Sequence, residues 1–377
     1  MHTRHGLVIG KFWPPHAGHH FLIRAAAATC EKVSVVVMAA SSEGLPMAAR
    51  RDWLADTHRD TPNVRVLAIR DDVPVDYNDA GIWDQHVALM RAALEEGDRQ
   101  GPPVGAVTAV FTSEPYGVDL ARRFNAVPVT LDAARECVPV SGSAVRADPL
   151  AHWHHLAPAT RAGLARRVVV IGAESTGTTT LSRALTEYWC AQGAPHHETR
   201  WIGEYGRDYT IEKLGEARAA ALLQGQPAPG MESLVWTTQD FERIARVQNA
   251  WEDAAAHSGG PLLICDTDAL ATAIWHERYL GSEAPTVWAI SEERRASLYL
   301  VTDDADVPFH QDGIRDGEHL RRWMTGRFVE VLEERGLPFV LLRGAHEERM
   351  RRAIEVTGGL LERGWGELRS RIDGVSA

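Results

Sequence analysis

The sequence predicts an α/β protein of two domains, each built on a parallel sheet covered by helices. Three observations carry this expectation. Short apolar runs of strand length alternate with longer stretches of helical period, the pattern of strand–helix–strand crossovers. The alternation runs through the first 150 residues and begins afresh at Arg167. Each series opens on an apolar strand that leads into a loop rich in glycine, hydroxyl or histidine residues, the context in which such sheets bind phosphate. A chain of 377 residues is long enough for two such cores.

In the first series, strands are expected at Leu7–Gly10, Val33–Ala40, Val64–Ile69, Ala106–Thr112 and Val127–Leu131. Helices are expected at His20–Cys30, Ala48–Asp56, Trp83–Leu94 and Val118–Phe124. The second series has strands at Arg167–Ile171, Leu262–Cys265, Leu298–Thr302 and Phe339–Leu342. Between the two lies Asp148–Arg166, with a proline, three histidines (His152, His154, His155) and a basic end. The boundary is placed there, giving a first domain over 1–150, a linker over 151–166 and a second domain over 167–377. No carboxylate or thiol shares the histidines' spacing, so the patch reads as a partly exposed linker helix rather than a metal site.

A net charge of −11 argues against a broad nucleic-acid footprint. No apolar run approaches the ~18 residues that a membrane-spanning helix needs. The first strand begins within the first ten residues, which leaves no room for a signal peptide. Cys30, Cys137, Cys190 and Cys265 are scattered without CxxC pairing, as expected of reduced thiols in a cytoplasmic protein. A homo-oligomer is compatible with all of this. Only three lysines occur, Lys11, Lys32 and Lys213, which restricts the choice of a phosphate-binding lysine.

The first strand ends at Gly10 and runs into Lys11-Phe12-Trp13-Pro14-Pro15-His16-Ala17-Gly18-His19. Two prolines stop the strand and fix a turn. A helix starting near Gly18 would gather His16 and His19 at its N-terminus, where backbone N–H groups already favour phosphate. Gly18 has no Cβ and lets a nucleotide lie against the backbone. Two imidazoles and Lys11 beside an ATP α-phosphate would stabilise charge that develops during in-line attack. At the end of the same domain, Val140-Ser141-Gly142-Ser143-Ala144-Val145-Arg146 offers two hydroxyls, backbone N–H groups and a guanidinium suited to the distal phosphates. HxGH and SxSxxR together are far more specific than either motif alone.

The second loop is Gly172-Ala173-Glu174-Ser175-Thr176-Gly177-Thr178-Thr179-Thr180, between a buried-strand pattern and an apolar helix. This is the setting of a Walker A phosphate loop, with Thr179 at the Mg²⁺-ligand position. The lysine position holds Thr178 instead, so the charge that normally reaches the β- and γ-phosphates is missing. Downstream, Leu262–Cys265 ends in Asp266-Thr267-Asp268, and Asp266 is a Mg²⁺ partner, direct or through water. Glu204, Arg207 and Asp208 lie within five residues and could hold a ribose and orient its 5′-hydroxyl; a surface salt-bridge turn is the plainer reading.

With both loops in place, the sequence resembles the HxGH nucleotidyltransferase superfamily. More narrowly, Gly-Lys-Phe-Trp-Pro-Pro-His-Ala-Gly-His-His is similar to the bifunctional nicotinamide-mononucleotide adenylyltransferase and ribosylnicotinamide kinase family, the NadR type. The resemblance runs from about Gly6 to about Gly364. It implies a Rossmann-like first sheet, a kinase-like P-loop second sheet, Mg²⁺ and small-molecule substrates: ATP, nicotinamide mononucleotide and ribosylnicotinamide. By resemblance His16 and His19 handle the triphosphate, Ser141, Ser143 and Arg146 bind its distal phosphates, and Gly10, Phe12, Gly18 and Ser113 line the nucleotide site. Trp83 matches a tryptophan that stacks on nicotinamide, although a core aromatic would look the same. Arg50 matches an arginine that binds phosphate or sits on a helix face. Asp312-Gly313-Ile314-Arg315 matches a lid, with Arg321 and Arg322 close behind; Arg315 is expected at ATP, and Glu204, Arg207, Asp208 and Asp268 at the second substrate.

These readings favour a two-domain NAD-salvage enzyme. The second domain would phosphorylate ribosylnicotinamide and the first would adenylylate the product. Two alternatives stay in view: a nucleotidyltransferase for another phosphorylated metabolite, and an adenylyltransferase whose Lys-less second domain senses nucleotide without transferring phosphate.

Overall fold

The computed structural model describes residues 3–76, 79–305, 307–310 and 317–369. The chain forms two compact units. One runs to Leu164 and is rejoined by the segment from Gly364; the other is Ala165–Arg363.

In the first unit the strands are β1 (Thr3–Gly10), β2 (Cys30–Ala39), β3 (Val64–Arg70), β4 (Ala109–Thr112) and β5 (Val127–Thr130). All pair in parallel, in the order β3-β2-β1-β4-β5. Leu7 at the centre of β1 faces Ser34 of β2 on one side and Val110 of β4 on the other. Central strands of such a sheet are covered on both faces, which is why β2 is buried from Val33 to Ala39, where Ser34 is the one polar residue. The helices are α1 (Ala17–Thr29), α2 (Met47–Thr57), α3 (Ala80–Gln100), α4 (Gly117–Arg123), α5 (Gly142–Ala147) and α6 (Pro158–Leu164). One face of the sheet packs on α3 and α4 through Trp83, Val87, Met90 and Leu120; the other packs on α1 and α2 through Ile23, Ala26 and Leu54. The order reverses between β1 and β4, so the crevice beyond their C-terminal ends is where a ligand is expected to bind.

In the second unit the strands are β6 (Arg166–Gly172), β7 (Arg200–Ile202), β8 (Leu262–Asp266), β9 (Leu298–Thr302) and β10 (Phe339–Leu342). They too are parallel, in the order β10-β9-β6-β8-β7. The helices are α7 (Thr178–Cys190), α8 (Tyr205–Leu223), α9 (Thr238–Ser258), α10 (Ala269–Leu280), α11 (Pro285–Glu292), α12 (Arg321–Glu334) and α13 (His346–Glu362). β6 is central, with its loop at the C-terminal edge. Strand β7 has three residues and gave no periodic signal in the sequence.

The stretch expected as a linker is packed structure of the first unit. Trp153, Leu156 and Leu164 are buried, and α6 lies against α2. The Trp153 ring meets Trp365, and the Trp365 indole donates to Leu164 O at 2.6 Å. The returning segment also reaches the first site's loop: the Trp13 indole donates to Glu367 O at 3.2 Å. All four cysteines are unpaired. No helix among the described residues is long and apolar enough to cross a membrane.

Candidate active sites

At the first site the loop after β1 turns into α1 at His16, which caps the helix. The His16 Nδ1 accepts from Gly18 N at 3.2 Å, and the His19 Nδ1 accepts from His16 N at 3.2 Å. Both Nδ1 lone pairs are therefore occupied, and each neutral ring carries its proton on Nε2. The two rings are in contact, tilted by 34° with centroids 3.8 Å apart. Burial, followed by the fields of His155, Arg135 and Arg146, holds the His16 pKa down at about 3. Burial and the neighbouring His16 and His20 push His19 well below its ordinary value. The pair is thus neutral near pH 7 and presents N–H donors without adding net charge.

His16, Gly18 and His19 share a small cleft of about 100 Å³ with Ser113, Ser141 and Gly142. Two motifs more than 120 positions apart thus converge. The volume suits one phosphate group and its surroundings. Ser141 caps α5, its Oγ accepting from Ala144 N at 3.1 Å. Ser143 accepts from Arg146 Nη2 at 3.1 Å, and Arg146 Nη1 donates to Trp13 O at 2.8 Å. Arg146 therefore ties the two motifs together behind the cleft. Sequence reasoning missed Arg135, which lines the cleft and pairs with Glu114 at 2.9 Å. Its place just before the SxSxxR segment was the available signal.

Several expected residues lie elsewhere. The Lys11 ammonium is 2.8 Å from Glu43 and does not line the cleft. The Phe12 side chain is buried in the core beneath His19, so only its backbone borders the loop. Gly10 closes β1 against the same Phe12 ring. Arg50 is fully buried: it donates to Leu45 O and Lys11 O and pairs with Glu43, and so braces the loop from inside. The expected contact of Arg50 with substrate phosphate is corrected accordingly, because every guanidinium nitrogen is already engaged. Trp83 is 7% exposed and belongs to the core under α3, with Tyr116 and Arg123 against its ring. In this structure it packs as a core aromatic.

The second site is a cleft of about 730 Å³ at the C-terminal edge of the second sheet. The phosphate loop forms one wall, through Gly172, Glu174, Ser175, Thr178, Thr179 and Thr180; Glu204, Arg207 and Asp208, at the start of α8, form another. A Cβ on Gly172 would lie 2.1 Å from Thr302 Oγ1, so only glycine fits there. Gly177 has φ 89°, a left-handed turn that releases the chain into α7. Thr176 turns inward, donating to Ala173 O at 2.7 Å. Arg349 of α13 holds the loop from behind, donating to Thr176 O and Asp303 O, each at 2.9 Å.

Thr178 and Thr179 line the cleft with the Asp266 carboxylate at the end of β8. Burial raises the Asp266 pKa; the two hydroxyls, with the fields of Arg183 and Arg207, pull it partly back. Glu174 faces Arg278 of α10, with N···O 3.3 Å. Aromatic side chains also line the cleft: Trp201, Trp236, Phe241, Trp251, Trp275 and Tyr279. Trp275 and Tyr279 stand four apart on α10, the spacing of one helix face.

Asp268 is a correction. It caps α10, accepting from Ala271 N at 2.9 Å and from the Tyr299 hydroxyl at 2.7 Å, and it does not line the cleft. Arg321 is buried and bonded to Val307 O, while Arg322 is exposed. Arg315, with Asp312, Gly313 and Ile314, lies outside the described residues. Among the described residues no three His, Cys, Asp or Glu side chains gather as a metal site.

Residues 167–349 match the AAA domain family. The chain is homologous to the trifunctional NAD biosynthesis/regulator protein NadR of Salmonella typhimurium, with 25% identity over 93% of this chain and 82% of that protein. The protein of the same description from Escherichia coli is 24% identical over the same shares. Two solved structures share the fold at 22% identity. One, of NadR protein in complex with NR, has a TM-score of 0.65 and covers 95% of this chain and 96% of that one. The other, in complex with NAD and AMP-PNP, has a TM-score of 0.66 and covers 96% of each.

Proposed function

We propose that this chain, a homologue of the NadR proteins, is an NAD-salvage enzyme with two active sites. The second unit phosphorylates ribosylnicotinamide with ATP. The first unit joins the resulting nicotinamide mononucleotide to the AMP moiety of a second ATP, giving NAD and pyrophosphate. The observation that carries this reading is the pair of convergences: HxGH with the Ser141–Gly142 start of SxSxxR in one cleft, and the phosphate loop with the Glu204–Asp208 cluster in the other. The ligands named for the solved relatives, NR and NAD with AMP-PNP, belong to the same chemistry.

In the first unit, a phosphate oxygen of the mononucleotide attacks Pα of ATP and the Pα–O bond to pyrophosphate breaks. No covalent enzyme intermediate is needed. The two Nε2–H donors of His16 and His19 face the charge that builds on the triphosphate, and being fixed in advance they cost no reorganisation. Ser113 and Ser141 border the same space.

In the second unit, backbone N–H groups from Gly172 to Thr179 cradle the phosphates. Asp266 and Thr179, one carboxylate and one hydroxyl lining the cleft, would hold a Mg²⁺ together with nucleotide and water. Such an ion, bound, neutralises charge on the β- and γ-phosphates. Glu204, Arg207 and Asp208 are suited to a ribose, and the aromatic lining of the cleft to a pyridinium ring.

The test is incubation of the whole chain with ATP, Mg²⁺ and either ribosylnicotinamide or nicotinamide mononucleotide, with products separated chromatographically. Failure to form NAD from the mononucleotide refutes the first assignment. Thr178 favours one competing reading, a second unit that binds ATP without transferring phosphate. ATP binding without mononucleotide formation would establish that alternative.

A further inference from the structure

The loop of the second unit lacks its lysine, and the structure offers a cation from one turn further along the same helix. Arg183 stands four residues after Thr179 and three after Thr180, so all three share a face of α7. All three line the cleft. Side chains on a helix lean toward its N-terminus, here the phosphate loop, and arginine is long enough to reach back across one turn.

The guanidinium has a built seat. Arg183 Cζ lies 4.3 Å from the centroid of the Trp201 ring, in the middle of the three-residue strand β7. That indole is itself fixed, its Nε1 donating to Ser182 Oγ at 2.9 Å. Two consecutive residues of α7 thus hold one tryptophan, the first by a hydrogen bond and the second by stacking. A cation–π contact positions a guanidinium while leaving its edge N–H groups available. Among the described residues no carboxylate forms an ion pair with Arg183. Arg207, the other arginine that lines the cleft among the described residues, stands between Glu204 and Asp208 in the sequence and keeps acidic company suited to a sugar. Arg321 is committed to carbonyl oxygens.

We propose that Arg183, seated on Trp201, replaces the missing lysine as the catalytic cation of phosphoryl transfer. The inference rests on the kinase reading of the second unit. In that reaction the bond between Pγ and the β,γ-bridging oxygen breaks, and its electron pair stays on the departing ADP. A bond forms between Pγ and the 5′-oxygen of ribosylnicotinamide, whose proton passes to the Glu204–Asp208 carboxylates. Negative charge grows on the bridging oxygen while the γ-phosphoryl group is between partners. A guanidinium anchored beside the loop stabilises that charge without a covalent role. The uncharged side chain of Thr178 cannot do so.

The experiment uses the full chain with saturating MgATP and ribosylnicotinamide, and measures AMP-PNP affinity separately. Arg183→Met keeps an unbranched stem against Trp201 and removes the charge. It should lower kcat for mononucleotide formation about 10²-fold or more, while AMP-PNP affinity changes far less. Adding Thr178→Lys to Arg183→Met returns a lysine to the ordinary position and should recover much of the lost rate. A residue that merely props Trp201 would not be rescued from residue 178. If Arg183→Met turns over at the parental rate, or if Thr178→Lys recovers nothing, the assignment to Arg183 is overturned and the kinase reading stands. If the parent chain binds AMP-PNP but makes no mononucleotide, both fall.

Discussion

His19 does two jobs through its two nitrogens, and a pair of substitutions should separate them. Its Nδ1 accepts the His16 backbone N–H at 3.2 Å, closing a capping box at the start of α1, while the Nε2–H is left for the phosphate. An asparagine places its side-chain oxygen near the Nδ1 position and keeps the cap, but it has nothing at Nε2. A glutamine reaches the Nε2 position with its amide and leaves the His16 N–H unpaired. Loss of a helix cap costs about 0.5–2 kcal/mol. Loss of one preorganised donor costs ~10²–10³ in rate, or about 2.7–4 kcal/mol of transition-state stabilisation. His19→Asn should therefore unfold near the parental temperature and make NAD from the mononucleotide ~10²-fold or more slowly. His19→Gln should be less stable by about 1 kcal/mol and the faster of the two. The measurements are thermal unfolding and steady-state NAD formation on the same preparations. If the order of rates follows the order of stabilities, His19 acts through the fold alone and the donor argument fails.

Trp83→Ala should destabilise the first unit by ~3–5 kcal/mol, as expected for a buried aromatic, and weaken ATP and nicotinamide mononucleotide together; selective loss of the mononucleotide in binding titrations would return Trp83 to the substrate. Glu252, buried beside Asp268, has its pKa raised to about 8, mainly by burial, so the folded state holds a proton there that the unfolded chain releases near 4.5. Its stabilising contribution is full below about 4.5 and fades as pH rises through about 8; Glu252→Gln should flatten the stability–pH curve across that window in denaturant titrations, and an unchanged slope would refute the assignment. A fragment ending at residue 150 should be much less soluble than the whole chain, because it lacks Trp153, α6 and Trp365; equal yields of soluble, cooperatively melting fragment would show that this layer is dispensable.

Much of this molecule could be read from the sequence because parallel sheets leave a strong trace. Leu298–Thr302 and Phe339–Leu342 were expected with the bounds they have, since a strand of a sheet covered on both faces reads as an uninterrupted apolar run. The phosphate loops were legible for a related reason: backbone curvature around an anion demands glycine at fixed spacing, and that demand is local. What failed to show was non-local. Strand β7 is three residues long and is held by pairing with β8, so no window of sequence contains its cause. The 151–166 stretch looked like a linker because its polar histidines masked Trp153, whose partner Trp365 lies more than 200 positions away. Arg50 and Trp83 illustrate a sharper limit. Motif position placed them at a ligand, whereas burial places them in the interior, and one sequence cannot distinguish a side chain that touches substrate from one that supports the residue beside it. Arg183 is the converse. Nothing marked it in the sequence, because its meaning depends on a tryptophan from another strand and on a lysine that is absent. A missing charge is visible in one dimension, but the residue that can replace it becomes visible only when the helix face and its neighbouring strand are assembled.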